Sequence, residues 1–184
     1  MTPQPAIFLD RDGTIILDSG YVSRREDVSL LEGAALAIAR INEAGVPLIV
    51  VTNQSGIGRG KYTEADYEIV NKRVLELLLP RGGHIDAFYH CPHAPDTECE
   101  CRKPGTKLFA EAAVEHDLDP SKSWFIGDRL RDIQPAAAFG AHGILVPRLN
   151  TPTADVVAAQ EKFAVATTLD AAVTRALDSL RASR

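Results

Sequence analysis

Residues 6–14 read AIFLDRDGT and residues 47–56 read PLIVVTNQSG. Ala6–Leu9 and Pro47–Thr52 are short, unbroken apolar runs that stop abruptly at polar residues. A run without polar alternation is what a strand buried on both faces looks like. Between them, Glu32–Ala44 has helical periodicity and ends at Gly45, a residue suited to helix termination. The pattern then repeats. Thr63–Leu79 reads as an amphipathic helix, with Thr63 as N-cap and Asp66 three residues on in a capping-box arrangement. Ala87–His90, Ser123–Ile126 and Gly143–Val146 read as strands. Lys107–His116, Ile133–Phe139 and Leu169–Leu180 read as helices, Pro135 being tolerable in a first turn. Arg148–Asp155 is polar, contains proline and is expected to cross the surface. Strands alternating with helices imply an α/β fold with a parallel sheet covered on both faces. The 184 residues suit one domain, taken as residues 1–184.

The bulk composition narrows the partners. A formal charge of −5 argues against nucleic acid or an anionic membrane, though not against a small anion in a locally positive site. No apolar run approaches a membrane span, and residues 1–9 lack the pattern of a secretory leader. A cytoplasmic protein is therefore expected, with a monomer as the default.

Ligands of open α/β sheets sit beyond the carboxyl ends of the strands, and those ends carry the polar residues here. The first strand gives Asp10-Arg11-Asp12-Gly13-Thr14, the second Thr52-Asn53-Gln54-Ser55-Gly56, and the fourth Gly127-Asp128-Arg129 followed by Asp132. Cys101-Arg102-Lys103-Pro104 follows the third strand. Asp10 and Asp12 project from one strand end, and like charges held close need a cation or a proton between them. With Asp128 they make an oxygen-rich site suited to Mg²⁺, which takes carboxylates, phosphate oxygens and water. The string is no EF-hand loop: Gly13 comes too early and no Glu closes it.

FLDRDGT, VTNQSG, RKP and GDRLRD, in this order across residues 8–132, resemble the four signature motifs of the haloacid dehalogenase (HAD) superfamily of phosphotransferases. The resemblance implies a HAD-like Rossmannoid three-layer fold and Mg²⁺-dependent phosphomonoester hydrolysis through an aspartyl-phosphate. Asp10 matches the nucleophile, Asp12 the acid that protonates the leaving oxygen and then activates water, Thr52 the phosphate-binding hydroxyl and Lys103 the phosphate-neutralising ammonium. Asp10, Asp12 and Asp128 are the expected magnesium carboxylates; Asp132 matches an acidic position of variable role. Residues 14–31 and 53–62 are too few for an inserted cap module, so a capless member is expected.

All three cysteines lie within eleven residues, as Cys91-Pro92-His93 and Cys99-Glu100-Cys101. Three thiols and one imidazole suit tetrahedral Zn²⁺ with no open position, a structural site. The alternation C-x-H and C-x-C favours His93 over His90 as the imidazole. Such a loop runs straight into Arg102 and Lys103 and would fix both.

A zinc loop at this point resembles the heptose-bisphosphate phosphatase branch of the superfamily and the related histidinol-phosphate phosphatases. Residues 10–22 and 51–63 resemble the first two motifs and following loops of the heptose branch. That resemblance implies a phosphorylated sugar substrate from bacterial surface lipopolysaccharide biosynthesis, touched by Asp18, Ser19, Gly20, Tyr21, Asn53, Gln54 and Ser55, with Arg102 on its second phosphate and Arg129 at a substrate-binding position that is also basic in that family. The five-residue zinc spacing also matches the histidinol-phosphate relatives, which keeps histidinol phosphate, or a broader set of small phosphomonoesters, as the alternative. Arg59 and Lys61 read as solvated loop cations.

Overall fold

The computed structural model describes residues 2–182. In chain order the elements are β1 (Ile7–Leu9), α1 (Ala34–Glu43), β2 (Leu48–Asn53), α2 (Ser55–Gly58), α3 (Glu64–Leu78), β3 (Ala87–Cys91), α4 (Lys107–Glu115), β4 (Trp124–Gly127), α5 (Leu130–Ile133), α6 (Pro135–Phe139), β5 (His142–Leu145), α7 (Thr153–Lys162), β6 (Ala164–Val165) and α8 (Leu169–Ala182). The strands form one parallel sheet in the order β3-β2-β1-β4-β5-β6.

Each strand residue faces one of two helical layers because side chains alternate across a sheet. Ile7 and Leu9 join Leu48, Val50, Ile126 and Ile144 under α1, α3 and α8. Phe8, Ile49, Val51 and Phe125 face the other way, against Phe109 of α4 and Ala136 of α6. There Phe8, Phe109 and Phe125 pack with ring centroids 4.9–5.4 Å apart. With apolar layers on both sides, the continuous apolar runs have no solvent face to mark.

The chain leaves β1 toward β2 and β3, then returns to the opposite side of β1 with β4. That reversal opens a crevice beyond the carboxyl end of β1, where such sheets bind ligands. Register sets the strand ends side by side: Leu9 lies opposite Val50 of β2, which runs on to Asn53, and opposite Ile126 of β4. Asp10 extends the ladder by donating its N–H to the Ile126 carbonyl at 3.0 Å.

The Thr63–Asp66 capping box forms as expected. Between β1 and α1 there is only a looped excursion with one 3₁₀ turn, Arg25–Asp27, and an isolated bridge from Ile16 to Leu30. No cap domain is inserted there among the described residues. Two elements depart from expectation. The stretch after β5 does more than cross the surface, since it leads into α7 and the two-residue β6. The helix expected over Ile133–Phe139 is α6 from Pro135, and Ile133 instead ends a separate short helix, α5, the two dividing at Gln134. Among the described residues, no helix is long and apolar enough to cross a membrane.

Candidate active site

Four segments of the chain meet in the crevice. Asp10 is 8% exposed, Lys103 3%, Asp128 2% and Asp132 4%. The Lys103 ammonium donates to Asp10 Oδ1 at 2.7 Å and to the Val51 carbonyl at 2.6 Å, and pairs with Asp132 Oδ1 at 2.8 Å. Asn53 of β2 grips the Lys103 backbone in both directions. Its Oδ1 accepts from the Lys103 N–H at 2.9 Å, and its Nδ2 donates to the Lys103 carbonyl at 3.2 Å. The side chain of Asn53 therefore positions the lysine while also lining the crevice.

Oxygens of Asp10, Asp128 and Asp132 lie within 4.8 Å of one another. Three carboxylates against one buried ammonium leave an excess of negative charge that a divalent cation would balance. Burial holds the Asp10 carboxyl up at about 8 against the opposing pull of Lys103, and its neighbours Asp132 and Asp128 push the same way as burial. Asp128 is held up at about 7, first by burial and then by Asp132, although Arg129 approaches it to 3.3 Å. Burial alone would lower Lys103, but Asp10 and Asp132 together raise it above its ordinary value. The donor set is hard, anionic and crowded, and it fits a magnesium ion.

Sequence alone puts Asp12 with Asp10 and Asp128 in this cluster; in the fold Asp132 takes that place. The Asp12 carboxylate turns instead to Gln54 Nε2 at 2.7 Å and to Arg11 Nη2 at 3.1 and 3.2 Å. The reason is local. Asp132 closes the first turn of α5 by accepting the Arg129 N–H at 2.9 Å, which aims its carboxylate back at the strand ends.

Two glycines permit the packing. Gly13 has φ +84°, and a Cβ there would lie 2.6 Å from Asp128 Oδ2. A Cβ at Gly127 would lie 2.3 Å from the Asp132 Cβ. Any side chain at either position would displace a carboxylate of the cluster.

The crevice is a cavity of about 210 Å³. Thr52, Ser55, Asp18, Gly20, Tyr21 and Arg129 line it as the sequence suggests, joined by Tyr62 and Arg131, which the sequence gave no reason to single out. Gln54 is 3% exposed and bonds to Asp12 and to Thr52 Oγ1 at 2.8 Å. Ser19 is exposed and is not part of the wall; Asp18 Oδ1 accepts the Gly20 N–H at 2.9 Å and turns the loop beneath it. Arg102 lies outside this cavity, its guanidinium 3.4 Å from the His93 carbonyl. Arg59 is more than a solvated cation, because it donates to the Tyr21 hydroxyl at 3.1 Å.

The stretch Arg148–Thr151 also serves the site. Arg148 Nε donates to the Gly13 carbonyl at 3.0 Å, and Thr151 Oγ1 donates to the Asp128 carbonyl at 2.8 Å. These bonds tie together the two turns that carry the carboxylates. Nothing local in the sequence marks them, since they span more than twenty residues in one case and over a hundred in the other.

At the end of β3, Cys91 Sγ lies 3.6 Å from both His93 Nδ1 and Cys99 Sγ, and His93 Nδ1 lies 3.2 Å from Cys101 Sγ. All four donors fall within 4.8 Å of one another. Ordinary zinc bond lengths set tetrahedral donors roughly 3.5–3.8 Å apart, so the group fits that ion. Burial pushes the Cys91 thiol up to about 12, so holding it as thiolate calls for a nearby cation. His90 is engaged elsewhere, 2.8 Å from Glu64 and stacked on Tyr67.

Comparison with known proteins agrees with this geometry. A HAD-hydrolase-like family model matches residues 100–172. The chain is 39% identical over 155 residues to the D-glycero-β-D-manno-heptose-1,7-bisphosphate 7-phosphatase of Escherichia coli O6:H1, covering 80% of this chain and 82% of that protein. This chain belongs to that phosphatase family. The Helicobacter pylori J99 member is 42% identical over 134 residues, 72% of this chain and 77% of that one. A D,D-heptose 1,7-bisphosphate phosphatase from B. bronchiseptica, solved with magnesium and phosphate, superposes with a TM-score of 0.84 at 34% identity, covering 95% of this chain and 99% of the other. As a member of this HAD family, the chain is a phosphomonoester hydrolase.

Proposed function

We propose that this enzyme removes the 7-phosphate of D-glycero-β-D-manno-heptose 1,7-bisphosphate, as its relatives' names describe. The observation that carries the chemistry is Asp10, held at the strand end by Lys103 and crowded by Asp128 and Asp132. Lys103 holds Oδ1, so Oδ2 attacks phosphorus and the sugar oxygen leaves. Asp12 gives that oxygen a proton, then takes one from the water that splits the aspartyl-phosphate. Thr52 and Lys103 orient the phosphoryl oxygens, and positioning with charge neutralisation is most of what such transfer requires. Mg²⁺, held by Asp10 and Asp128 with Asp132 beside them, would offset the repulsion between carboxylate and phosphate.

The sugar lies along the wall made by Asp18, Gly20, Tyr21 and Ser55. Its second phosphate meets Arg129, with Arg102 approaching from the metal loop; guanidinium groups suit phosphate through paired hydrogen bonds. Cys91, His93, Cys99 and Cys101 would hold Zn²⁺, which would fix the loop leading into Arg102 and Lys103. A cytoplasmic setting, which keeps thiols reduced, and a role in lipopolysaccharide precursor synthesis complete the proposal.

The test is phosphate release with Mg²⁺ from both heptose 1,7-bisphosphate anomers, histidinol phosphate and fructose 1,6-bisphosphate, compared by kcat/KM. The β anomer is expected to lead by about a hundredfold, equivalent to ~2.7 kcal/mol of differential transition-state binding. A profile led by histidinol phosphate, or a flat one, overturns the substrate assignment and leaves the Asp10 chemistry standing.

A further inference from the structure

Arg11 follows the nucleophile directly, yet its side chain turns into the protein and is 1% exposed. Nη1 donates to Asn71 Oδ1 of α3 at 2.8 Å, and Nη2 donates to Gln54 Oε1 at 3.0 Å and to both Asp12 oxygens. The guanidinium lies 5.1 Å from the centre of the Tyr67 ring, within cation–π range. The Arg11 carbonyl accepts the N–H groups of Ile15 at 2.9 Å and Ile16 at 3.1 Å, closing the turn that carries Asp12 and Gly13.

This network fixes more than one rotamer. A guanidinium has only donors, so Gln54 must present Oε1 to it. The Tyr62 hydroxyl donates to the same Oε1 at 2.5 Å. The Gln54 NH₂ is thereby left facing Asp12 Oδ2 and Thr52 Oγ1, at 2.7 and 2.8 Å. Arg11 thus acts on Asp12 twice, directly and through the amide it orients. Nε has no hydrogen-bond partner; Nη1 holds Asn71 at the far end, and the contacts of Nη2 concentrate on Asp12 and Gln54.

We propose that Arg11 is a positioning residue that sets the direction of the Asp12 carboxylate for proton transfer. The proposal rests on Asp12 being the acid and base. Its loss affects the steps that move a proton and spares the attack by Asp10.

p-Nitrophenyl phosphate separates these steps. Asp10 forms its bond to phosphorus while the bond to the nitrophenyl oxygen breaks, and nitrophenolate leaves with the electron pair without needing a proton. In the second step water attacks phosphorus, its proton passes to Asp12 and the bond to Asp10 breaks. Rapid mixing with Mg²⁺ should give Arg11→Met a burst of nitrophenolate near one equivalent at close to the parent rate. Turnover should then stall about a hundredfold below parent, within the range of general acid–base contributions. Arg11→Lys, which keeps the charge but loses the fork, should stall likewise, and so should Asp12→Asn. If Arg11→Met slows burst and turnover in parallel, or turns over like the parent while Asp12→Asn stalls, Arg11 has no positioning role. If Asp12→Asn itself does not stall, the acid–base assignment fails first. Should Arg11→Met not fold, Asn71→Ala loosens the far end of the guanidinium without touching Asp12. It should stall about tenfold, and parent-like kinetics in that variant would overturn the proposal.

Discussion

Asp10→Asn should lose turnover by at least about ten-thousandfold, the scale at which removing a covalent nucleophile is felt, while keeping its fold. The amide can still accept from Lys103 through its oxygen, so the ammonium keeps Asp10, Asp132 and the Val51 carbonyl as partners. The variant should also differ from the parent in its stability across pH. Asp10 titrates at about 8 in the folded chain against an ordinary 3.8. The folded state therefore binds a proton more readily than the unfolded state between those values. Ionising Asp10 opposes folding in full above pH 8, and the penalty fades as pH falls through 8 toward 4. Asp128, held up at about 7, acts in the same direction. Without added Mg²⁺, the parent's melting temperature should fall from pH 6 to pH 8.5, and Asp10→Asn should fall less. Added Mg²⁺ should restore the parent selectively. Equal pH dependence in both proteins would contradict the crowded-carboxylate description, and retained turnover would remove Asp10 as nucleophile.

Stripping metal from the Cys91–His93–Cys99–Cys101 cluster should be the second large effect. The loop between Cys91 and Lys103 has little else to hold it: His93 and residues 95–98 are exposed, and the segment has no helix or strand after Cys91. Structural zinc contributes folding free energy directly. If several kcal/mol are lost, a domain of this size should melt on the order of 10 °C lower. Activity should fall with it, because Lys103 is delivered by this loop and Asn53 alone holds its backbone. Chelation followed by exchange into Mg²⁺, with zinc measured by elemental analysis, checks both effects. An unchanged melting curve in a zinc-free sample would remove the structural role, and Cys91→Ser should reproduce the chelated behaviour.

The strands were legible because β1, β2 and β4 are buried on both faces, so their apolar runs are uninterrupted. β6 pairs through two residues only, too few to leave a pattern. α7 was missed for a related reason: Ala159 is its one fully buried residue, so it lacks the apolar stripe that betrays a packed helix. The strand-end motifs could be read because each is contiguous. The direction in which a side chain leaves its motif could not. Asp132 takes the place expected of Asp12 because Asp12 turns to Arg11 and Gln54 while Asp132 is aimed by the start of α5. Asn53 and Gln54 line the crevice, but no local signal shows that their amides also serve Lys103 and Asp12. The Arg11 network joins Arg11, Gln54 and Tyr62, which lie in loops, to Asn71 of α3, and such long-range hydrogen bonding has no local signature. The cysteine–histidine cluster lay between these extremes, since four donors within eleven residues can converge whatever the surrounding fold.

The most direct test is to quench the enzyme in acid during turnover with Mg²⁺ and saturating heptose bisphosphate, then map peptides by mass spectrometry. The peptide containing residues 7–11 should carry the mass of one phosphoryl group on Asp10, labile to hydroxylamine and absent in Asp10→Asn. Phosphoryl label on another residue, or no label in Asp12→Asn quenched after its burst with p-nitrophenyl phosphate, would contradict covalent catalysis by Asp10.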